Sequence, residues 1–226
     1  MEYKIDYIKF QNEIKTRGIL FLIHFTETIN LISILEHKRL YSRTQLESLK
    51  IDHQDIMDFI EFNDPLRLDE LKNFVNLSIS FPNYFLFNKF REKMNNIYIN
   101  WCIIKIDPHY IYAKDTLFSV SNAASNVSRR QYKITGDFQK FLTLFKNELS
   151  VTSSSGTKVL NRTNLNSQYP TDVQAEVLVK DHIEYSDMME ICFPDQESLA
   201  SAKAACFEWD TSKFRVEPNL FTNLRK

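Results

Sequence analysis

The sequence predicts an α+β fold, and three observations carry that expectation. Short apolar runs rich in strand formers mix irregularly with stretches of helical periodicity, which fits strands and helices in no regular βαβ alternation. Hydrophobic residues make up 43% of the 226, with 18 Phe and 10 Tyr among them, enough to bury a substantial core. No internal repeat or second domain is visible, so residues 1–226 are expected to form one domain.

The elements follow in order. Asp6 to Arg17 has the polar, moderately amphipathic pattern of a helix, closed by Gly18. Ile19 to Ile23 is a continuous apolar run and is expected to be a buried strand. It ends at His24-Phe25-Thr26, after which Ile29, Ile32, Ile34 and Leu35 suit a helix opened by Thr26 or Thr28 as cap. His24 and Thr26 would then sit where a strand runs into a helix, a junction that exposes backbone N–H groups. Val75 to Ser80 and Ile97 to Ile106 are further strands, stopped by Phe81-Pro82-Asn83 and by Asp107-Pro108. Phe138 to Leu149 is helical in its spacing of Phe138, Phe141, Leu142, Phe145 and Leu149. Ser150 to Gln168 changes character: 13 of its 19 residues are Ser, Thr, Asn, Gln or Gly, and a long exposed loop is expected. Val173 to Val179 reads as a strand with Glu176 as its only ionisable interior residue, and Met188 to Phe193 as another. A helix from Gln196 to Cys206 and a final strand with an ordered end containing Phe221 complete the chain.

Composition excludes several function classes. The 3 glycines, Gly18, Gly136 and Gly156, are too far apart to write G-x-G-x-x-G or G-x-x-x-x-G-K-[ST], so a nucleotide would have to be held by side chains. Cys102, Cys192 and Cys206 form neither a disulfide framework nor a zinc pattern, and no His/Cys/Asp cluster offers a metal site. A soluble, unexported, cytoplasmic chain is expected, because the N-terminus lacks an apolar segment and the longest apolar run is too short for a bilayer. The net charge of −1 hides a polarity: Ser42 to Glu70 carries eight acidic and three basic residues, Ser121 to Pro170 seven basic and two acidic. Only the second stretch suits a polyanion.

Taken singly, the candidate residues have plain alternatives. Alternation alone puts Glu176 on the polar face of a half-buried strand, His24 reads as a hydrogen-bonded structural residue, and Arg67 as an arginine paired to Asp64 or Asp69. Taken in order they are more specific. His24-Phe25-Thr26 with Asn30-Leu31 and Ile34-Leu35, then Arg67-Leu68-Asp69, Val75 through Tyr84 and Asn122-Ala123-Ala124-Ser125 lead to Tyr169-Pro170-Thr171-Asp172-Val173-Gln174-Ala175-Glu176-Val177-Leu178-Val179. This series resembles the DarT family, toxins of toxin–antitoxin pairs that ADP-ribosylate DNA bases. The resemblance runs from about residue 19 to 195, with Gln174 to Val179 its most specific part.

That resemblance implies an ADP-ribosyltransferase fold with a split, mostly antiparallel β core that grips NAD without a glycine loop and needs no metal. His24, Thr26, Asn30, Leu31 and Ser78 would contact NAD. Glu176 would be the catalytic glutamate and Arg67 the essential arginine, with Arg91 a substitute because the segment between Asn30 and Val75 varies in length. Ser150 to Gln168 falls where the family carries its substrate-recognition loop, and Arg129, Arg130, Lys133, Lys158, Arg162 and Tyr169 would meet single-stranded DNA. Val75 to Tyr84 looks closer to the guanine-modifying branch than to the thymine-modifying one. An ADP-ribosylglycohydrolase antitoxin of macrodomain or similar type is the implied partner, and defence against phage the implied setting.

The residue types suit this chemistry on their own terms. Cleaving the nicotinamide bond leaves an oxocarbenium-like ribose, which an adjacent carboxylate stabilises. The attacking base must be accessible, hence a single strand or a flipped nucleotide. Two other readings stay open on the sequence: transfer to protein or RNA, favoured by the near-neutral charge, and a non-catalytic module that binds single strands.

Overall fold

A computed structural model describes residues 1–52, 71–94, 100–153, 156–223 and 225, and its first helix is α1, Tyr7–Arg17. Gly18, at φ 70°, turns the chain out of α1, its N–H bonding to Lys15 while that of Ile19 reaches Ile14. The left-handed conformation costs a residue with a side chain about 1 kcal/mol, which glycine avoids. Because Ile19 is committed to this helix end, β1 begins later than the apolar run suggests, at Leu22–Glu27. His24 and Thr26 consequently lie inside the strand and not at its exit.

A short 3₁₀ turn, Thr28–Asn30, leads into α2, Leu31–His37, then β2, Arg39–Tyr41, and α3, Arg43–Asp52. After β3, Phe74–Ile79, Ser80 adopts φ 59°, and Asn83 caps α4, Tyr84–Met94, by accepting the Leu86 N–H at 3.2 Å. Strands β4, Trp101–Ile106, and β5, Leu117–Ser119, follow. Helix α5 covers only Phe138–Thr143, and Leu149 belongs to β6, Glu148–Ser153, paired antiparallel with β7, Gly156–Asn161.

The expected long loop over Ser150 to Gln168 is therefore corrected to a hairpin arm followed by a turn. The backbone ladder from Glu148↔Asn161 to Ser153↔Gly156 holds the hairpin, and only Leu149 and Val151 of β6 turn toward the core while the side chains of β7 are largely exposed. β8 is Glu176–Lys180, shorter than the apolar pattern suggests. Its predicted first residues form a turn in which the Gln174 N–H bonds to Asp172 Oδ1 at 2.9 Å and the Ala175 N–H to the Asp172 carbonyl. Glu176 thus heads its strand. β9, His182–Glu184, β10, Met188–Phe193, α6, Gln196–Ala205, and β11, Phe214–Val216, complete the chain.

Seven strands form one sheet in the order β11-β10-β4-β1-β3-β8-β5, with only β10 and β11 parallel. The joint between β1 and β3 consists of Leu22↔Ile79 and Ile23↔Ser78 alone. Beyond it β1 stays with β4 as far as Glu27↔Trp101, while β3 stays with β8 from Leu77 to Phe74. The sheet therefore splits into two arms, as expected for a split, mostly antiparallel core.

One cluster, including Phe10, Leu35, Ile104, Phe141 and Val177, packs helices α1, α2 and α5 onto the sheet. A second, including Ile23, Phe87, Trp101, Ile103 and Leu220, seats α4 and the C-terminal residues. Each fully buried Leu or Phe contributes roughly 1.5–3 kcal/mol, and because Leu22 and Ile104 of the first cluster alternate with Ile23 and Ile103 of the second, β1 and β4 are covered on both faces.

Candidate functional site

The split begins at a single side chain. Where the β1–β3 ladder stops, His24 Nδ1 donates to the Asn76 carbonyl at 3.1 Å, substituting for the backbone bond the strands no longer make. A carbonyl oxygen can only accept, so Nδ1 carries the proton in this bond. Two residues along β1, Thr26 Oγ1 accepts from Asn30 Nδ2 at 2.8 Å, which ties the strand to the turn that opens α2. Ser78 Oγ accepts the Asn83 N–H at 3.2 Å and fixes the loop between β3 and α4.

Between the arms lies a cleft of about 240 Å³ lined by His24, Thr26, Asn30, Asn76, Ser78 and Glu176, with Asn122 and Ala124 beside the glutamate. Glu176 is 4% exposed and faces this cleft, so it is not on a solvated strand face. Its Oε2 accepts the Ala123 N–H at 2.9 Å, and Asn76 Nδ2 lies 3.5 Å from the same oxygen. A buried carboxylate is costly unless such donors meet it. One wall thus presents an anionic acceptor and another an imidazole, amides and hydroxyls, which suits a polar ligand with ribose hydroxyls.

Arg39, Tyr41 and Arg43 also line the cleft, and nothing in the sequence singles them out. They sit in a three-residue strand and the start of α3, at the edge of and inside what composition marks as an acidic stretch. Arg39 Nε pairs with Glu184 at 3.1 Å and Arg43 Nε with Glu47 at 2.9 Å. These guanidinium groups hold the Glu184 and Glu47 carboxyls below their ordinary range, chiefly through the hydrogen bonds. Both arginines are thus oriented beside the cleft.

The remaining expected residues divide. Arg67 lies outside the described residues. Arg91 stacks on Phe87 at 5.3 Å and does not line the cleft. Leu31 is fully buried in the core cluster, and it is not among the residues that line the cleft.

Arg129, Arg130 and Lys133 lie on or beside the π-helical turn Val127–Tyr132, with Arg129 and Arg130 exposed, and Lys158 is exposed on β7. Gln131 and Tyr132 of that turn bond to the Ser150 carbonyl at 2.7 Å and 3.1 Å, so the turn braces the hairpin. Arg162 is committed elsewhere: its guanidinium bonds to the carbonyls of Tyr169 at 2.5 Å and Asn166 at 3.0 Å. Tyr169 is 7% exposed and packed with Phe81, which leaves its ring no face for a base. Asp172, also buried, titrates above its ordinary value; desolvation is the main cause, opposed by the Gln174 N–H, the Ser121 hydroxyl and the charges of Arg225 and Lys158.

Among the described residues, Glu190, Cys192 and Glu217 are close enough to share an ion, but Lys105 already bridges the two carboxylates. No helix among those residues is long and apolar enough to cross a membrane.

No curated protein matches the chain. Solved structures share the fold. The DarT of Thermus sp. 2.9 in complex with NAD+ superposes with a TM-score of 0.52 at 9% identity, over 89% of this chain and 96% of that one. The same protein in complex with ADP-ribosylated ssDNA gives 0.52 at 10% identity, over 91% and 97%. Thermosipho africanus DarTG in complex with ADP-ribose gives 0.54 at 18% identity, over 92% of this chain and 52% of that one. The family model described as "ssDNA thymidine ADP-ribosyltransferase, DarT" matches residues 23–222, which span both arms of the sheet and the cleft between them. The chain belongs to the DarT family of single-stranded-DNA ADP-ribosyltransferases.

Proposed function

We propose that this chain transfers ADP-ribose from NAD to a base of single-stranded DNA in the cleft between the arms, with Glu176 as the catalytic carboxylate. The observation that carries the assignment is the buried Glu176 at the head of β8, held through Oε2 by the Ala123 N–H where two strand systems part. His24, Thr26, Asn30, Asn76 and Ser78 supply polar contacts to the dinucleotide, and Arg39 and Arg43 lie where charged phosphates can exchange with Glu184 and Glu47.

In the reaction the bond between the ribose carbon and the nicotinamide nitrogen breaks, and nicotinamide leaves with the electron pair. The Glu176 carboxylate stabilises the positive charge that develops on the ribose. A ring nitrogen of the base then bonds to the same carbon, and its proton passes to the carboxylate. Family membership supports DNA as the acceptor and thymine as the base, since the matching model is described for thymidine. The guanine reading rests on the Val75 to Tyr84 string alone.

Arg129, Arg130, Lys133 and Lys158 guide the strand toward the cleft, while Arg162 and Tyr169 shape the turn behind it. An enzyme that marks DNA endangers its own cell, so we assign the chain the toxin role opposite an antitoxin that removes ADP-ribose. Likeness to Thermosipho africanus DarTG supports that pairing.

The test is mass spectrometry of nucleosides from single-stranded DNA treated with the chain and NAD. ADP-ribosylated thymidine is expected. Modified guanosine would move the base assignment, and label found only in added protein or RNA would overturn the DNA reading. Glu176→Ala should lower labelling by about a thousandfold or more without loss of fold. Retained labelling by that variant would overturn the glutamate's role.

A further inference from the structure

The bond that pins Glu176 has its own support, and the support is made of serines. Ala123, which gives its N–H to Glu176 Oε2, lies in a turn between β5 and the π-helical segment Val127–Tyr132. Three serine hydroxyls hold that turn. Ser119, opposite Glu176 in the β5–β8 ladder, donates its Oγ to the Ser121 carbonyl at 2.6 Å. Ser128 Oγ accepts the Ser121 N–H at 3.2 Å, and Ser125 Oγ accepts the Ser128 N–H at 3.2 Å. Asn122 adds a local bond, its Oδ1 accepting the Ala124 N–H at 2.9 Å. The Ser121 hydroxyl also counters the upward pKa shift of the buried Asp172, whose backbone and side chain shape the turn that runs into Glu176. The turn that offers its N–H to the catalytic carboxylate and the turn that delivers that carboxylate thus lie side by side.

A protein interior could have satisfied these backbone groups with a regular ladder or with water. Here side-chain hydroxyls fix a turn whose one outward product is an N–H aimed at a carboxylate. Neighbouring Asn122 and Ala124 face the cleft while Ala123 itself is buried, so the turn both lines the site and braces it. Preorganised donors of this kind set the position of a charged group before substrate arrives.

We infer that Ser128, acting through Ser121 and the Ala123 N–H, is a positioning residue that holds Glu176 in its reactive orientation. The inference rests on Glu176 being the catalytic carboxylate. Ser128 is fully buried and does not line the cleft, so its effect must travel through the turn.

The experiment compares Ser128→Ala, Ser128→Thr and a chain in which the Ala123 amide is replaced by an ester, reading kcat, KM for NAD and Tm. Ser128→Ala removes the acceptor without adding bulk, so kcat should fall about tenfold with KM for NAD nearly unchanged. Ser128→Thr keeps the hydroxyl but crowds a fully buried site, so Tm should fall while kcat at permissive temperature stays near that of the unaltered chain. The ester removes the donor to Glu176 itself and should reproduce the kcat loss, and it carries the test if Ser128→Ala does not fold.

Loss of kcat that follows Tm across the three proteins, or an ester chain with unaltered kcat, would overturn the positioning role. An unaltered chain that labels no DNA, or a Glu176→Ala protein that still does, would overturn the function reading and this inference together. A dead Glu176→Ala with a fully active Ser128→Ala overturns this inference alone.

Discussion

The cleft between the sheet arms and the hairpin surface beside it use polar residues in opposite ways. In the cleft, His24 and Glu176 are fixed by backbone groups that strand separation and a braced turn leave facing inward. On the hairpin side the backbone ladder holds the shape, while Arg129, Arg130 and Lys158 stand in solvent. Each kind of interaction is effective in its own setting. Buried hydrogen bonds to a charge are strong and geometry-dependent, whereas exposed charges attract a polyanion over a distance and are screened by salt.

The cleft carboxylate separates the two regions most clearly. Glu176→Ala carries the largest expected loss, about a thousandfold or more in labelling, because no hydrogen-bond donor or neighbouring amide can supply the missing negative charge. His24→Ala comes next. It deletes the bond to the Asn76 carbonyl at the point of divergence and one polar group of the cleft wall, so kcat/KM for NAD should fall by about tenfold to a hundredfold. A decrease confined to DNA affinity, with NAD kinetics intact, would show that His24 serves the other region.

These two residues also show what a sequence can convey. Apolar runs locate most strands because burial selects residue type, and Met188 to Phe193 is strand β10 with the bounds its pattern implies. Offsets arise where a local bond outcompetes the pattern: Ile19 closes α1, and Asp172 turns the chain that leads to Glu176. The hairpin over residues 148–161 is hard to read because its only buried face is the pair Leu149 and Val151 of β6, too short a pattern to mark a strand, while β7 is largely exposed. At the site, His24, Thr26, Asn30, Ser78 and Glu176 converge because each lies on or beside a strand of the divided sheet. Arg39, Tyr41 and Arg43 reach the cleft through the pairing of β2 with β9, which joins residues far apart in sequence and which local pattern does not encode. Arg162 and Tyr169 have the charge and the ring that suit a nucleic acid, yet the guanidinium is taken up by the Tyr169 and Asn166 carbonyls and the ring is buried.

The hairpin side predicts a milder, salt-dependent phenotype. Replacing Arg129 and Arg130 by alanine together should weaken single-strand binding at low salt and reduce the slope of log K against log salt by about 0.7 for each phosphate no longer neutralised. At saturating DNA, kcat should stay within about twofold of the unaltered chain, since neither side chain lines the cleft. Titrations at several salt concentrations measure this. An unchanged slope would remove these arginines from the DNA path, and a large fall in kcat would erase the distinction between the two regions.

Asp172, in the turn that leads to Glu176, gives the smallest effect and one with a definite sign. Burial pushes its carboxyl above the ordinary value of 3.8, so between that value and the folded-state value the native chain holds a proton that the unfolded chain has released. Stability from this group is then fully present below the unfolded pKa and is lost as pH rises through the folded one. Asp172→Asn retains an oxygen to accept the Gln174 N–H and has no proton to lose. Its stability relative to the unaltered chain should therefore improve as pH is raised through that window and level off above it. Urea midpoints for both proteins from about pH 3.5 upward read this directly, because every other carboxylate is common to the pair. A gap that stays constant with pH would mean that Gln174, Ser121, Arg225 and Lys158 offset the burial of Asp172 completely, and that the turn before Glu176 carries no electrostatic strain.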